Sequence, residues 1–358
     1  MRIAIVGGGI IGSSIAYHLS KYTELDIYLF ERSPSKVPLY SSSGNSRIMG
    51  RILHSESPSY IDWISLSNST YKHFENLGLN IYKKANCITY SKYSGFIEGL
   101  SKEAKGLMVK YTQGEFHGLS SITEHYTSCN FLGIMNPFNC ISAYQKLSKD
   151  VKFFYGYNLQ TYTRKNKKFE LKFDNHTVIC VDILIFATNA STSEYINMPV
   201  KIKKKEIPLV YIKLDGHMNY EDIYLEINRL GNYGLFCMPE TIDNNIFLKA
   251  GIHDFSVYES FNYSLDEIYL LIYQKVMKYH RSIIKENIIH HTSLCEYGVT
   301  KNGLPVIDEI EKNVWVSAGF NGNGAKHSSA IGELLAISIY NSKKHALLNE
   351  FSLAAHML

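Results

Sequence analysis

The sequence predicts an α/β protein of two intertwined domains, and three observations carry that expectation. At 358 residues the chain has about twice the length of an ordinary domain. Residues 2–30 read as strand, glycine turn, helix and strand, a βαβ opening. Residues 313–338 repeat the order strand, glycine loop, helix near the other end of the chain.

In chain order, a strand is expected over 2–6, a turn over 7–12, a helix over 13–21 and a second strand over 26–30. Ile10, Ile11, Ile15, Ala16 and Leu19 recur at helical spacing and give the helix an apolar face toward a sheet. Residues 33–56, rich in Ser, Pro and Gly, read as a long loop. Residues 60–77 read as a helix with Trp63, Leu66, Tyr71 and Phe74 as its buried stripe. Short strand and helix signals mix between 86 and 139. The apolar run 178–187 reads as one strand. The basic run 201–205 reads as the solvated entry to an edge strand over 208–214. A strand over 246–250 precedes an amphipathic helix over 265–279, announced by a capping box of Ser264 and Glu267. A strand over 313–318, a glycine loop over 319–324 and a helix over 328–338 follow.

Composition excludes several classes. A 45% hydrophobic fraction with 20% charged residues is ordinary for a soluble enzyme, and a net charge of +4 gives no footprint for nucleic acid. The six cysteines, Cys87, Cys129, Cys140, Cys180, Cys237 and Cys295, form no C-x-x-C pair and no metal-ligand spacing, so no metal is expected. Scattered thiols fit a reducing compartment. With a strand beginning at the second residue no signal peptide is expected, and charges interrupt every apolar run short of about 18 residues. The expectation is a cytoplasmic monomer with no membrane partner.

Gly7-Gly8-Gly9-Ile10-Ile11-Gly12 satisfies G-x-G-x-x-G between a strand and a helix. Gly7 permits the tight turn, Gly9 lets backbone amides approach a pyrophosphate, and Gly12 lets helix and strand pack closely. The helix start at Ile10 and Ile11 offers N–H donors and positive dipole to phosphates. Glu31 ends the second strand, nineteen residues beyond Gly12, where its carboxylate can accept both hydroxyls of an adenosine ribose. This Rossmann-type unit does not by itself separate NAD from FAD.

The choice comes from the rest of the chain. Glu31 is followed by Arg32, and Ser41-Ser42-Ser43-Gly44-Asn45-Ser46-Arg47-Ile48 is a small-residue loop ending in Ser-Arg. A strand closes in Ala187-Thr188-Asn189-Ala190. Cys295-Glu296-Tyr297 precedes Gly303-Leu304-Pro305-Val306-Ile307-Asp308 and then Gly319-Phe320-Asn321-Gly322-Asn323-Gly324-Ala325-Lys326. These segments resemble the sarcosine oxidase-like FAD-dependent amine oxidases of the D-amino-acid oxidase superfamily. The likeness covers residues 1–55, 180–190, 235–255 and 292–340 and is thin over 86–140 and 255–290.

The resemblance implies a discontinuous FAD-binding domain from 1–85, 140–200 and 296–358, and an α+β substrate domain on a mixed antiparallel sheet from 86–139 and 201–295. It implies FAD held by Gly7, Gly9, Ile10, Ile11, Gly12, Glu31, Arg32, Ser43, Ser46, Arg47, Ala187, Gly319, Gly322, Asn323, Gly324 and Lys326, with Cys295 as the covalent anchor to the flavin 8α-methyl. Asn189 stands where the family has glycine, and asparagine tolerates left-handed backbone better than most residues.

The implied reaction is hydride transfer from a secondary amine or imino acid to flavin N5, giving an imine, with reoxidation by O2 to H2O2. Leu248-Lys249-Ala250-Gly251-Ile252-His253 resembles the family's Leu-Lys-x-Gly-x-His, which gives Lys249 the oxygen role and sets His253 near substrate. Arg47 is expected to reach toward the ring and Lys326 to bind the substrate carboxylate. The family pattern Arg-x-x-Arg becomes Arg47 and Arg51, one residue further apart. Either Arg51 serves through a small loop change, or Gly50 marks a lost contact and a different substrate. Phe236 stands where relatives place a tyrosine. Other readings are a flavin dehydrogenase passing electrons to a partner, a non-catalytic FAD-binding subunit and, last, an NAD-dependent dehydrogenase, which would need neither Cys295 nor the C-terminal glycine loop.

Overall fold

A computed structural model of the chain describes residues 1–36, 40–50, 58–85, 87–91, 108–110, 124–128, 131–215, 222–227, 233–252 and 263–357. One six-stranded sheet runs in the order Val306–Glu311, Val314–Ala318, Ile183–Phe186, Arg2–Val6, Asp26–Glu31, Lys152–Tyr155. All neighbours are parallel except Val306–Glu311, which joins antiparallel at one edge. A parallel sheet needs cover on both faces. Ile3, Ile5, Ile27, Leu29, Ile183 and Ile185 share a core with helices Ile10–Leu19 and Gly324–Tyr340. The alternate residues Ala4, Val6, Phe30, Leu184 and Phe186 pack with Phe169 and Leu171 of a three-stranded antiparallel sheet, Leu159–Lys165, Lys168–Phe173 and Val178–Val181.

The structure moves several expected boundaries. The first helix begins at Ile10 rather than residue 13, because the glycine run already carries its first turn. The apolar run 178–187 is two strands in different sheets. The break is Asp182: its N–H donates to Arg2 O at 2.8 Å and its carboxylate accepts Arg2 N–H at 2.8 Å. The expected loop 33–56 contains the strand Arg47–Gly50, paired antiparallel with Phe131–Met135. The last helix starts at Gly324 rather than 328. The capping box of Ser264 and Glu267 forms as expected, and helix Pro58–Asn76 buries Trp63, Tyr71 and Phe74 completely.

An eight-stranded mixed sheet runs His291–Val299, Lys203–Lys213, Asn245–Ile252, Tyr233–Ile242, Ile223–Ile227, Cys87–Ser91, Glu124–Ser128, Met108–Lys110. Strand Lys203–Lys213 takes in the basic run from Lys203 and is interior, pairing on both sides over Leu209–Tyr211, so the edge expectation is corrected. Side-chain alternation sorts the two faces of this sheet. Val210, Ile212, Leu235, Cys237, Leu248 and Ala250 lie under helix Leu265–His280. Leu209, Tyr211, Phe236, Met238, Phe247 and Cys295 gather on the other face, the one that lines the pocket described below. Among the described residues no helix is long and apolar enough to cross a membrane.

Candidate active site

A cleft opens at the C-terminal ends of the parallel strands, bounded by Gly7, Gly9, Glu31, Arg32, Ala187 and the Ser41–Ser42 turn. Such strand ends are where open α/β sheets take their ligands. Gly7 leaves its strand at φ +107°, and a Cβ there would stand 2.6 Å from the Ala187 carbonyl oxygen. A Cβ on Gly12 would stand 1.8 Å from the Gly7 carbonyl oxygen, so only glycine lets the helix lie this close to the strand. Ile10 and Ile11 are the first helical residues, both buried.

The Glu31 carboxylate accepts the N–H groups of Gly8 at 2.7 Å and Ser33 at 2.8 Å. Those two bonds aim it, and a carboxylate accepts about four, so capacity remains for ribose hydroxyls. Arg32 reaches the Ser191 hydroxyl at 3.3 Å and lies 3.6 Å from Glu194. The Ser42 hydroxyl accepts the Ile10 N–H at 3.2 Å, a contact the sequence did not single out.

Asn189 has the left-handed backbone expected of it, at φ 48°. Its side chain does more than tolerate the turn. Nδ2 donates to Ser41 Oγ at 3.0 Å, and Oδ1 accepts the Gly319 N–H at 3.1 Å. One amide thus ties the serine loop to the C-terminal glycine loop. Gly319 itself sits at φ +76°.

Strand His291–Val299 separates this cleft from a second cavity. Alternation along the strand sends Cys295 and Tyr297 into the second cavity and Glu296 toward the first. Ser46, Arg47, Phe236, Lys249, Gly322, Asn323 and Lys326 also line the second cavity, so residues far apart in sequence meet there. Gly324 starts the helix that follows.

Arg47 is committed to its own loop. Its guanidinium donates to the carbonyls of Ser46 at 2.7 Å, Ser41 at 3.1 Å and Ser43, and lies 3.9 Å from Cys295 Sγ. Ser43 therefore contributes its carbonyl to the loop. Lys249 is buried and forms an ion pair with buried Glu240 at 2.8 Å. Lys326 donates to Asn323 Oδ1 at 2.8 Å, and burial pushes its ammonium down to about 8. No carboxylate pairs with Lys326 among the described residues. The Phe236 ring lies against Gly251, where a Cβ would stand 2.7 Å from its Cζ. Arg51 and His253 lie outside the described residues.

Sequence reasoning missed Glu240 and the linking role of Asn189. A signal for Glu240 existed in the turn pair Asp243-Asn244 between two apolar strands, which sets a hairpin register.

Among solved structures, L-proline dehydrogenase from P. horikoshii is 16% identical with a TM-score of 0.78, over 98% of this chain and 96% of that one. Iminodiacetate oxidase from Chelativorans sp. BNC1 is 12% identical with a TM-score of 0.76, over 98% of each chain. Glycine oxidase from Geobacillus kaustophilus is 16% identical with a TM-score of 0.73, also over 98% of each. At such identities the likeness is one of fold. No curated protein matches the chain in sequence. The family described as FAD dependent oxidoreductase matches residues 2–337. With its cleft and glycine motif joined to that match over nearly the whole length, the chain belongs to the FAD-dependent oxidoreductases of the D-amino-acid oxidase family, the membership its likeness to sarcosine oxidase-like enzymes implied.

Proposed function

We propose that this protein is an FAD-dependent oxidase of a secondary amine or imino acid, with O2 as electron acceptor and the flavin carried on Cys295. An N-methyl or cyclic amino acid, or a biosynthetic intermediate of that shape, is the expected substrate. The carrying observation is the shared strand His291–Val299, which joins the glycine-lined cleft to a pocket holding Cys295, Lys249 and Lys326. The similar structures are named for proline, iminodiacetate and glycine, which supports an amino- or imino-acid substrate.

The residues present fit the cofactor. Gly7 and Gly9 leave backbone room for a diphosphate, Glu31 faces the cleft, and the start of helix Ile10–Leu19 supplies amides and dipole. Gly322 and Asn323, ahead of helix Gly324–Tyr340, offer the same to an electron-rich ring edge. When bound, FAD supplies the acceptance of a hydride equivalent from the amine and the passing on of its electrons.

The protein supplies position and charge. Lys326 holds the substrate carboxylate, while Ile48, Leu209, Leu225, Phe236 and Met238 receive its apolar part and exclude water. Lys249 places positive charge in the pocket wall, and Arg47 fixes the loop beside Cys295. On the resemblance alone, Arg51 joins Lys326 at the carboxylate and His253 stands near the substrate. The same reading assigns the cofactor domain to 1–85, 140–200 and 296–358 and the substrate domain to 86–139 and 201–295, in a cytoplasmic monomer.

The purified protein should be yellow, and the intact unfolded chain should weigh more than its sequence by one FAD. Cys295→Ala should bind FAD that is lost on unfolding. A colourless protein unable to take up FAD overturns the cofactor, whereas an apoprotein mass removes only the thioether. In air, H2O2 should form in step with substrate consumed. Dye reduction without H2O2 would overturn the oxidase and favour a dehydrogenase serving a partner.

A further inference from the structure

Glu240 lies on strand Tyr233–Ile242, joined to Asn245–Ile252 by Asp243 and Asn244, both left-handed at φ 46° and 62°. The hairpin register sets Met238 opposite Lys249 and Glu240 opposite Phe247. Glu240 and Lys249 are therefore diagonal neighbours on one face of the sheet. Their side chains are 2% and 4% exposed, with Oε2 and Nζ 2.8 Å apart. The same carboxylate oxygen accepts the Ser46 hydroxyl, and Oε1 accepts the Asn45 N–H at 3.4 Å. Lys249 Nζ also donates to Ser46 Oγ at 3.0 Å and to the Ser46 carbonyl at 3.2 Å. The three donors of the ammonium are thus all directed at Glu240 and Ser46.

Other groups face Lys249 from every neighbouring element. The Arg47 guanidinium comes from strand Arg47–Gly50, the Cys295 thiol from His291–Val299, and Tyr211 stands directly opposite on Lys203–Lys213. Burial and then Arg47 push the Lys249 ammonium below its ordinary value, and Glu240 opposes both. Burial pushes Glu240 up, but Lys249 and the Ser46 hydroxyl outweigh it and carry the carboxyl below its usual range. Either charge alone would be an uncompensated ion in the protein interior.

We propose that Glu240 is a positioning residue that holds Lys249 as an ammonium ion, fastened to the Asn45–Ser46 turn at the pocket wall. Its service to the oxygen half-reaction rests on the oxidase reading given above; the holding of the charge does not. The serine loop is then fixed twice, by Arg47 through its carbonyls and by the Glu240–Lys249 pair through Ser46. Any loosening of the pair moves both the charge and the loop that borders Cys295.

The test uses full-length protein labelled with 13C at lysine Cε, with Lys249→Met identifying the resonance. In the wild type, Lys249 should keep its charged shift throughout neutral pH. In Glu240→Gln it should titrate about one to three units lower, the range by which a close opposite charge moves such a group. An unchanged titration overturns the proposal.

Reoxidation of the reduced protein by O2, followed over the same pH range, judges the oxidase reading separately. Glu240→Gln should lose rate as pH rises through the lowered value. A lowered titration with unaltered reoxidation keeps Glu240 as the holder of the charge and removes the oxygen role of Lys249. If Glu240→Gln does not fold, the pair Lys249→Met and Lys249→Met/Glu240→Gln decides. The single variant strands a buried carboxylate and should melt below the double one. The opposite order overturns the proposal.

Discussion

The cleft at the parallel strand ends and the pocket that holds Cys295 lie on either side of one strand, yet they are built by opposite means. In the cleft, Gly7, Gly9 and Gly12 bring backbone close, and Glu31 is aimed by the backbone N–H groups of Gly8 and Ser33, all within the opening strand–helix–strand unit and its exit. In the pocket, Arg47, Lys326 and the Glu240–Lys249 pair are side-chain charges delivered by three segments far apart in the chain. A cleft made of close backbone approaches fails when atoms are added. A pocket made of buried charge fails when charge is removed.

The largest effect should come from adding atoms to the cleft. Gly12→Val would drive a side chain into the Gly7 carbonyl, 1.8 Å from the first added carbon. Overpacking of a tight site costs about 1–3 kcal/mol, and more when the obstacle is backbone. The variant should melt well below wild type and retain no flavin colour. Gly303→Ala is the control, since a Cβ there meets nothing within 4 Å and only its φ of +75° resists. Equal losses at the two glycines would break the comparison.

Next comes removal of charge from the pocket. Lys326 is pushed down to about 8, so its charged form prevails below that pH and is lost above it. A bound carboxylate favours the charged form, so KM should be flat below pH 8 and rise above it by up to about tenfold per unit, as one linked proton requires. Lys326→Gln should raise KM at low pH by the worth of a charged hydrogen bond, about 1.5–3 kcal/mol, and abolish the rise. Steady-state kinetics from pH 6 to 9.5 would decide, and a KM that still climbs in Lys326→Gln would point to another titrating group.

The same contrast explains what could be read in the sequence. The glycine motif, Glu31 and the capping box at Ser264 each depend on residues within one local unit, so pattern and chemistry sufficed. The break at Asp182 was invisible because its partner is Arg2, at the far edge of the sequence. Strand Arg47–Gly50 was hidden in a Ser-rich loop because its edge is supplied by Phe131–Met135. Glu240 went unread, since only the Met238–Lys249 register puts it on the pocket face. The resemblance named Lys249 and Lys326 but not their bonds to the side chains of Glu240 and Asn323.

A smaller effect tests the link between cleft and glycine loop. Asn189→Gly keeps the left-handed turn while deleting the bonds to Ser41 and Gly319. Two neutral hydrogen bonds are worth about 1–3 kcal/mol together, in part offset by solvation of the freed groups. In a Cys295→Ala background, where FAD binding is reversible on the present reading, its affinity should fall by roughly tenfold, or about 1.4 kcal/mol. Titration of apoprotein by flavin fluorescence would measure this, and an unchanged affinity would mean the two loops hold their places without the amide.

The smallest effect should come from charge in the cleft. Glu296 faces the cleft with its side chain 12% exposed, and Lys204, 53% exposed, meets it at 2.6 Å. An ion pair so open to water contributes about 0–1 kcal/mol to stability, so Lys204→Ala should hardly move the melting temperature. It does strip a counter-ion from a carboxylate in the cleft wall proposed to face a diphosphate. The resulting repulsion acts through solvent and fades within about 8–10 Å at physiological salt. FAD affinity in the Cys295→Ala background should therefore fall by at most about fivefold, the equivalent of 1 kcal/mol. The loss should shrink in 1 M salt, where the screening length is about 3 Å, and Glu296→Gln should reverse it. A loss as large as that of Asn189→Gly, surviving high salt, would mean that the cleft too is organised by side-chain charge.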